Sequence, residues 1–321
     1  MSGQDRPAKI YALHLAVLAV LFALNFVLPA YYHGLTARIL VLAVFAMGYN
    51  MLFGYAGLLS LGHAMFFAAG LYGAGLGVVH FGFGVPLAFL SGLACGALLS
   101  LVIGVLALRT SGVAFMIVTM MFSQVVYLTT LYFTTWTRGE EGLVLSPALR
   151  RIDLGGTVVS LSDPAARYVI AFVLFSAVLF LSLRLVRSPF GRTLAGIREN
   201  EERMRMLGYD TFRAKLAAVV LSGLFCAASG AAYGLLFGYV GSGFASIQYS
   251  ILPLLWVLVG GAATTLGPLL GTLFMFYVVD YASGVTTAWL VLVGAALILT
   301  VLFFPRGVLG SVRERWLKWL P

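Results

Sequence analysis

Long apolar runs, separated by short polar or glycine-rich stretches, fill most of the sequence. Ten segments can be drawn, at 10–31, 36–53, 60–80, 85–108, 113–133, 168–186, 215–238, 248–262, 267–284 and 287–304. At about 20 residues per membrane-crossing helix plus short loops, the chain has room for roughly ten. The pattern therefore predicts an all-α polytopic bundle of about ten transmembrane helices, forming a single membrane domain over 1–321. The first run lacks the short apolar core and small-residue cleavage site of a signal peptide and reads as a retained span. Two interruptions, Gly54–Gly62 and Gly260–Pro268, are rich in glycine and read as re-entrant turns. At membrane depth such backbone is tolerated only where protein buries it or it lines a cavity. A faint echo links them: Ser60-Leu61-Gly62-His63 and Thr265-Leu266-Gly267-Pro268 each precede another apolar run, as duplicated halves would.

Composition removes the alternatives. The 321 residues are 61% hydrophobic and 10% charged, against about 25% charged in soluble domains. Too few charges are present to cover a water-soluble surface, and disorder is excluded by the same balance. Cys95 and Cys226 sit in apolar runs and read as small buried residues. Glycine is frequent, 37 residues, and pairs four apart recur at Gly73/Gly77, Gly92/Gly96, Gly230/Gly234, Gly234/Gly238 and Gly267/Gly271. Such spacing lets helices approach closely in lipid, as a fixed seam or a moving one.

The net charge of +9 is informative for where it lies. Residues 184–215 hold eight basic groups against four acids, residues 306–318 four against one, and residues 138–167 four of each. Basic residues near span ends collect on the cytoplasmic side. With ten spans this puts 187–214, both termini, Arg6, Lys9 and Arg109 inside, and the loop 134–167 and Arg38 outside.

Chemistry-bearing residues are few. Asp280 is the only acid inside a predicted span, which disfavours ion-coupled carriage. No HExxH or GxSxG motif, and no GxxxxGK[ST] phosphate loop, is present. This is no enzyme, and if transport is ATP-driven another subunit holds the nucleotide. Polar Asn50, Ser60 and His63, with Tyr55 and Gly62 in the same glycine-broken stretch, and Gln124 in the fifth run, are candidates to face a translocation pathway.

The loop after the sixth run predicts one amphipathic helix. Ser188 caps it, Pro189 suits its first position, and Gly208 its left-handed end. Leu194, Ile197, Met204 and Leu207 form a broken apolar stripe, and Arg198/Glu202 and Glu201/Arg205 are pairs at four-residue spacing. Asp210 or Thr211 caps the next helix. The loop reads as a docking helix for a cytoplasmic partner. In the outer loop, Leu149–Leu154 and Thr157–Leu161 flank Gly155-Gly156 and predict a hairpin. At the C-terminus, Val312, Trp316 and Trp319 on one face predict an interfacial helix over 311–320.

Together these segments resemble the LivM-type permease subunits of branched-chain amino-acid ABC importers. The resemblance rests on Gly54-Tyr55-Ala56-Gly57 through Ser60-Leu61-Gly62-His63-Ala64 and on Thr137-Arg138-Gly139-Glu140-Glu141-Gly142-Leu143. It continues with Ser188-Pro189-Phe190-Gly191-Arg192, Ile197-Arg198-Glu199-Asn200-Glu201 and Leu207-Gly208. It closes with Leu266-Gly267-Pro268 and Phe304-Pro305-Arg306-Gly307-Val308-Leu309-Gly310. It implies the ABC importer permease fold in the inner (plasma) membrane, in contact with lipid. It implies a second related permease subunit, two cytoplasmic ATPase subunits that bind ATP and Mg, and a periplasmic or lipid-tethered substrate-binding protein. No cofactor belongs to this chain and no nucleic acid is a partner. The family's coupling helix falls on Thr193–Leu207, giving Thr193, Leu194, Ile197, Arg198, Glu199, Asn200, Glu201 and Leu207 an ATPase-coupling role. Relatives carry branched-chain amino acids, and others urea, amides or different amino acids. Three departures stand out: Arg138 occupies a position where many relatives have Gly, Gly196 interrupts the coupling helix, and Phe244-Ala245-Ser246-Ile247-Gln248-Tyr249-Ser250 stands where many relatives carry a polar-rich stretch before the eighth span.

Overall fold

The computed structural model describes residues 5–27, 29–153, 158–286, 288–304 and 306–315. Five helices come first: α1 (Asp5–Val27), α2 (Ala30–Asn50), α3 (His63–Phe81), α4 (Val85–Ala107) and α5 (Gly112–Tyr132). The outer loop follows, with the turn α6 (Thr134–Thr137) and strands β1 (Leu143–Val144), β2 (Arg151–Asp153) and β3 (Val158–Ser160). Then come α7 (Pro164–Arg187), the short α8 (Pro189–Glu199) and α9 (Glu201–Met206), and α10 (Thr211–Phe237). The chain ends with β4 (Tyr239–Val240), α11 (Ile247–Gly260), α12 (Gly267–Val285), α13 (Trp289–Phe303) and α14 (Val308–Arg315).

Eight helices among the described residues are long and apolar enough to cross a bilayer. The eighth and tenth predicted spans are the exceptions: α11 has 14 residues and α13 has 15. At 1.5 Å per residue they reach roughly 21–22 Å, short of the roughly 30 Å hydrocarbon core. Residues 316–321, which include Trp316 and Trp319, lie outside the described residues, so α14 is the part of the C-terminal helix seen.

Burial separates centre from periphery. About the centre are Tyr31–Tyr55, Thr211–Phe237 and His63–Phe81, with 83%, 72% and 67% of their span windows buried, whereas α1 and α5 reach only 17%. The outward faces of α1 (Leu15, Val20, Phe22, Phe26) and α5 (Val113, Ile117, Met121, Val125, Leu128) are apolar and exposed. Lipid or neighbouring apolar helices suit them. Inside, Phe45, Phe67, Tyr249 and Phe244 form an aromatic cluster with ring centroids 4.9–5.9 Å apart. Cys226 is buried as expected; Cys95 is exposed, because its side of α4 faces outward.

The outer loop is pinned by an arginine that no local pattern marks. Arg150 is buried; its Nε donates to Leu145 O at 3.1 Å and its Nη1 to Leu236 O at 3.0 Å. Leu236 belongs to the last turn of α10, where carbonyls lack helical partners and a cation is favoured. The hairpin forms as β2 against β3, pairing Arg151 with Ser160 and Ile152 with Val159; its turn, 154–157, lies outside the described residues. Nearby, β1 pairs with β4.

Arg138 ends α6 with φ 58°, in the left-handed region. A residue with a Cβ is strained there by about 1–2 kcal/mol. Arg138→Gly is expected to stabilise the purified chain by up to about 1 kcal/mol once glycine's own chain entropy is counted, read as a higher thermal midpoint. An unchanged or lower midpoint would contradict that account.

Candidate coupling and pathway site

The first break begins where α2 ends. Met51–Tyr55 continue the helix as one wide π turn, a feature often found at functional positions. The chain turns at Gly57 (φ 71°), and the Leu58 N–H returns to Leu52 O at 3.1 Å. Ser60 Oγ accepts from the Gly62 N–H at 3.2 Å, and α3 starts at His63. A Cβ on Gly62 would stand 2.4 Å from Thr119 O of α5, so only glycine lets these two segments meet. The break is thus narrower than Gly54–Gly62, since the π turn carries the helix through Tyr55.

The second break follows α11. Gly261 (φ 115°) and Ala263 (φ 56°) both take positive φ, and α12 starts at Gly267 with Pro268 in its first turn. The two breaks are tied by one side chain. Asn50 Nδ2 donates to Thr264 O at 2.9 Å, and its Oδ1 accepts from the Ala263 N–H at 3.0 Å. A further partner comes from α1, where His14 Nε2 lies 2.7 Å from Thr265 Oγ1. Arg313 of α14 donates to Ala263 O at 3.0 Å.

His63 lies deeper in the same region and is fully buried. Its Nε2 is 2.9 Å from Ser222 Oγ, and Ser222 Oγ is 2.7 Å from Gly48 O. Serine has one proton, and the Gly48 carbonyl can only accept it. Ser222 therefore accepts from His63, whose proton sits on Nε2. The His63 ring packs against Tyr49 at 4.5 Å between centroids, tilted by 57°.

Of the pathway candidates, Asn50, Tyr55, Ser60, Gly62 and His63 are brought together at this junction, all buried, and Asn50, Ser60 and His63 are engaged by protein groups. Tyr55 is buried with its hydroxyl unpartnered. Gln124 stands apart, half-buried on α5.

The predicted single docking helix is two helices. Asn200 takes extended angles (φ −158°, ψ 102°), ends α8, and caps α9 by accepting from the Arg203 N–H at 2.9 Å. Asparagine favours such caps over helix interiors, so the break has a local cause. Ser188 and Asp210 cap α8 and α10 as expected, and Gly208 has φ 86°. Gly196 has a reason too: Met204 of α9 packs over it, and a Cβ there would meet Met204 Sδ at 2.6 Å.

The apolar stripe divides accordingly. Leu194 and Ile197 are buried, whereas Leu207 is exposed. Thr193 donates to Pro189 O at 3.0 Å, and Glu199 is exposed. The Glu201–Arg205 pair forms at 3.1 Å, but Arg198 and Glu202 form no ion pair. Arg198 instead donates to Gly54 O of the first break, and its stem covers Gly57.

Glu201 has a second partner that sequence spacing does not show. Lys215 Nζ of α10, itself buried, lies 2.7 Å from its Oε1. Partial burial pushes the Glu201 carboxyl up, but Lys215, Thr211 and Arg205 outweigh it and hold it below the usual carboxylate range. So α8 grips the first break and α9 grips α10. Missed from the sequence were Arg150, Lys215, His14 and Arg313, all of which act over long separations. Only the oddity of lone polar residues in apolar runs could have flagged His14.

Comparison with known proteins identifies the family. The family described as "Branched-chain amino acid transport system / permease component" matches residues 31–302. The chain is 27% identical over 98% of its length to the high-affinity branched-chain amino acid transport system permease protein LivM of Escherichia coli K12, covering 78% of that protein. The LivM protein of Salmonella typhimurium LT2 gives the same identity and coverage. A probable LivM permease of Methanocaldococcus jannaschii is 27% identical over 157 residues, 44% of this chain and 45% of that protein. No solved structure matches.

Proposed function

The chain belongs to the permease components of branched-chain amino acid transport systems, and from that premise we propose that it forms half of the translocation pathway of an ATP-driven importer. The cargo is a branched-chain amino acid delivered by a substrate-binding protein. A second, related permease supplies the other half, and two cytoplasmic ATPases that bind ATP and Mg drive the cycle. The chain sits in the inner membrane as one permease domain with both termini cytoplasmic, the coupling loop at 187–214, the outer loop at 134–167 and the interfacial helix at 311–320.

One observation carries this reading: the charged loop is bonded to the breaks in the membrane helices. Arg198 holds the first break through Gly54 O, and Asn50 joins that break to the second. A push on α8 therefore reaches both breaks through directional bonds rather than through a flexible tether. Transitions of this kind move rigid elements between discrete packings. The pathway residues Asn50, Tyr55, Ser60, Gly62 and His63 lie on that line of force, with Gln124 on the neighbouring α5.

The face of α8 left for an ATPase is opposite Leu194 and Ile197. It carries Arg192, Ala195 and Glu199, all exposed. In proteoliposomes holding the assembled complex, Ala195→Arg with Glu199→Arg is expected to cut ATP-driven leucine uptake at least about tenfold, a loss of roughly 1.4 kcal/mol of docking energy. The thermal midpoint of the chain should not change, because both side chains are exposed. Uptake at the wild-type rate would sink the proposal, as would leucine uptake by this chain alone under an ion gradient.

A further inference from the structure

A cavity of about 290 Å³ opens between α8, the second break and α14. Three guanidinium groups line it, from Arg198, Arg306 and Arg313, and among the described residues none of the lining is acidic. They come from separate elements: α8, the turn before α14, and α14 itself.

Two of the three are held in place by backbone. Arg198 donates to Gly54 O and Arg313 to Ala263 O. Neither forms an ion pair with a carboxylate among the described residues. A guanidinium carries five N–H donors, so each keeps several beyond its carbonyl bond. The Tyr55 hydroxyl, buried and without a hydrogen-bond partner, lies within electrostatic range of both Arg198 and Arg313. Arg198 and Arg313, like charges with spare donors and no carboxylate on them among the described residues, are costly to hold together without an anion to neutralise them.

We propose that this cavity binds a phosphate group, presented by the head group of an acidic lipid or by soluble phosphate. A carboxylate has two oxygens, which one bidentate arginine can satisfy. A phosphate offers more acceptors around a centre, which suits three guanidinium groups arriving from three directions. The setting fits a head group: Arg306 and Arg313 follow the last apolar helix, and basic pockets between helix ends on the cytoplasmic side suit acidic lipids. An occupant would bridge α8 and α14, and so would join the arginines that hold the two breaks.

Binding can be read on the purified full chain, without transport, so its failure leaves the importer reading standing. The chain in neutral detergent would be given phosphatidylglycerol, phosphatidylcholine, inorganic phosphate or glutarate. Thermal midpoint and native mass spectrometry report binding. Phosphatidylglycerol, inorganic phosphate or both should bind and raise the midpoint; lipid alone identifies a head-group site, and phosphate as well identifies a site open to soluble anions. Arg313→Gln should weaken that binding about tenfold, while Arg184→Gln, at an exposed arginine of α7, should not. Since Arg313→Gln also loses the bond to Ala263, Arg306→Gln serves as the second variant and should weaken binding likewise. Three results would overturn the proposal. Phosphatidylcholine could bind as well as phosphatidylglycerol. Wild-type affinity could survive in both cavity variants. Glutarate could protect as well as phosphate, marking a receptor for a protein carboxylate.

Discussion

Asn50→Ala is expected to lower the stability of the purified chain by about 2–6 kcal/mol and to abolish transport by the assembled complex. The substitution leaves two backbone groups without partners, the Ala263 N–H and the Thr264 carbonyl, at a junction where Asn50 is 2% exposed. Each buried group left unsatisfied costs about 1–3 kcal/mol. Side-chain hydrogen bonds between membrane helices average only about 0.6 kcal/mol, because freed side chains find other partners. That smaller figure does not apply here. Ala263 and Thr264 lie between helices, so no helical ladder takes up their backbone groups. Ala263 is also held at φ 56°, a conformation that depends on the clamp. Ala263→Gly should therefore recover part of the loss in the double variant. A thermal midpoint within experimental error of wild type for Asn50→Ala would refute the clamp.

The same residue shows what a linear reading can reach. Asn50 draws notice as a polar group in an apolar run, and the glycines after it announce a break. Its partners, more than 200 positions away by the separations of 213 and 214, follow no local period. The echo of Ser60-Leu61-Gly62-His63 in Thr265-Leu266-Gly267-Pro268 does turn out to mark paired places. Each stretch leads into a helix, α3 and α12, after a break, and the two breaks touch. The charged loop after α7 was legible for similar reasons. Ser188, Asp210 and Gly208 act within a turn or two of themselves, where capping rules are strong. Asn200 obeys the same rule, yet one apolar stripe running past it favoured an unbroken helix. Arg198 and Lys215 escaped because charge spacing along a helix proposes partners only on that helix, and both reach across to other elements. The short α11 has a local signature in Pro253, which removes a helical hydrogen bond from its interior.

Gly230→Ala is expected to prevent accumulation of folded chain, while Gly234→Ala should leave stability within about 1 kcal/mol of wild type. The two glycines look alike in sequence, four apart on α10 and each able to seat a close helix contact. Their surroundings differ. A Cβ on Gly230 would lie 1.9 Å from Phe67 O and 3.0 Å from Leu71 N, both backbone atoms of α3. Neither can rotate away, so the two central helices must separate. Overpacking typically costs about 1–3 kcal/mol when side chains can adjust, and here no side chain is available to adjust. The gap would also open beside Ala227, which packs against α4 at Gly96, where a Cβ would meet it at 2.1 Å. A Cβ on Gly234 would meet Leu71 Cδ1 at 3.0 Å and Val240 Cγ2 at 3.3 Å, the ends of side chains. Those can shift by a few tenths of an ångström, and alanine's better helix propensity returns about 1 kcal/mol. Gly238, next in the series, has a third role: at φ 75° it ends α10 in the left-handed region, with the Arg150 guanidinium against it. Expression yield and thermal midpoint of the two variants in detergent decide the matter. Equal behaviour of Gly230→Ala and Gly234→Ala would show that α3 and α10 do not pack backbone to backbone at this point.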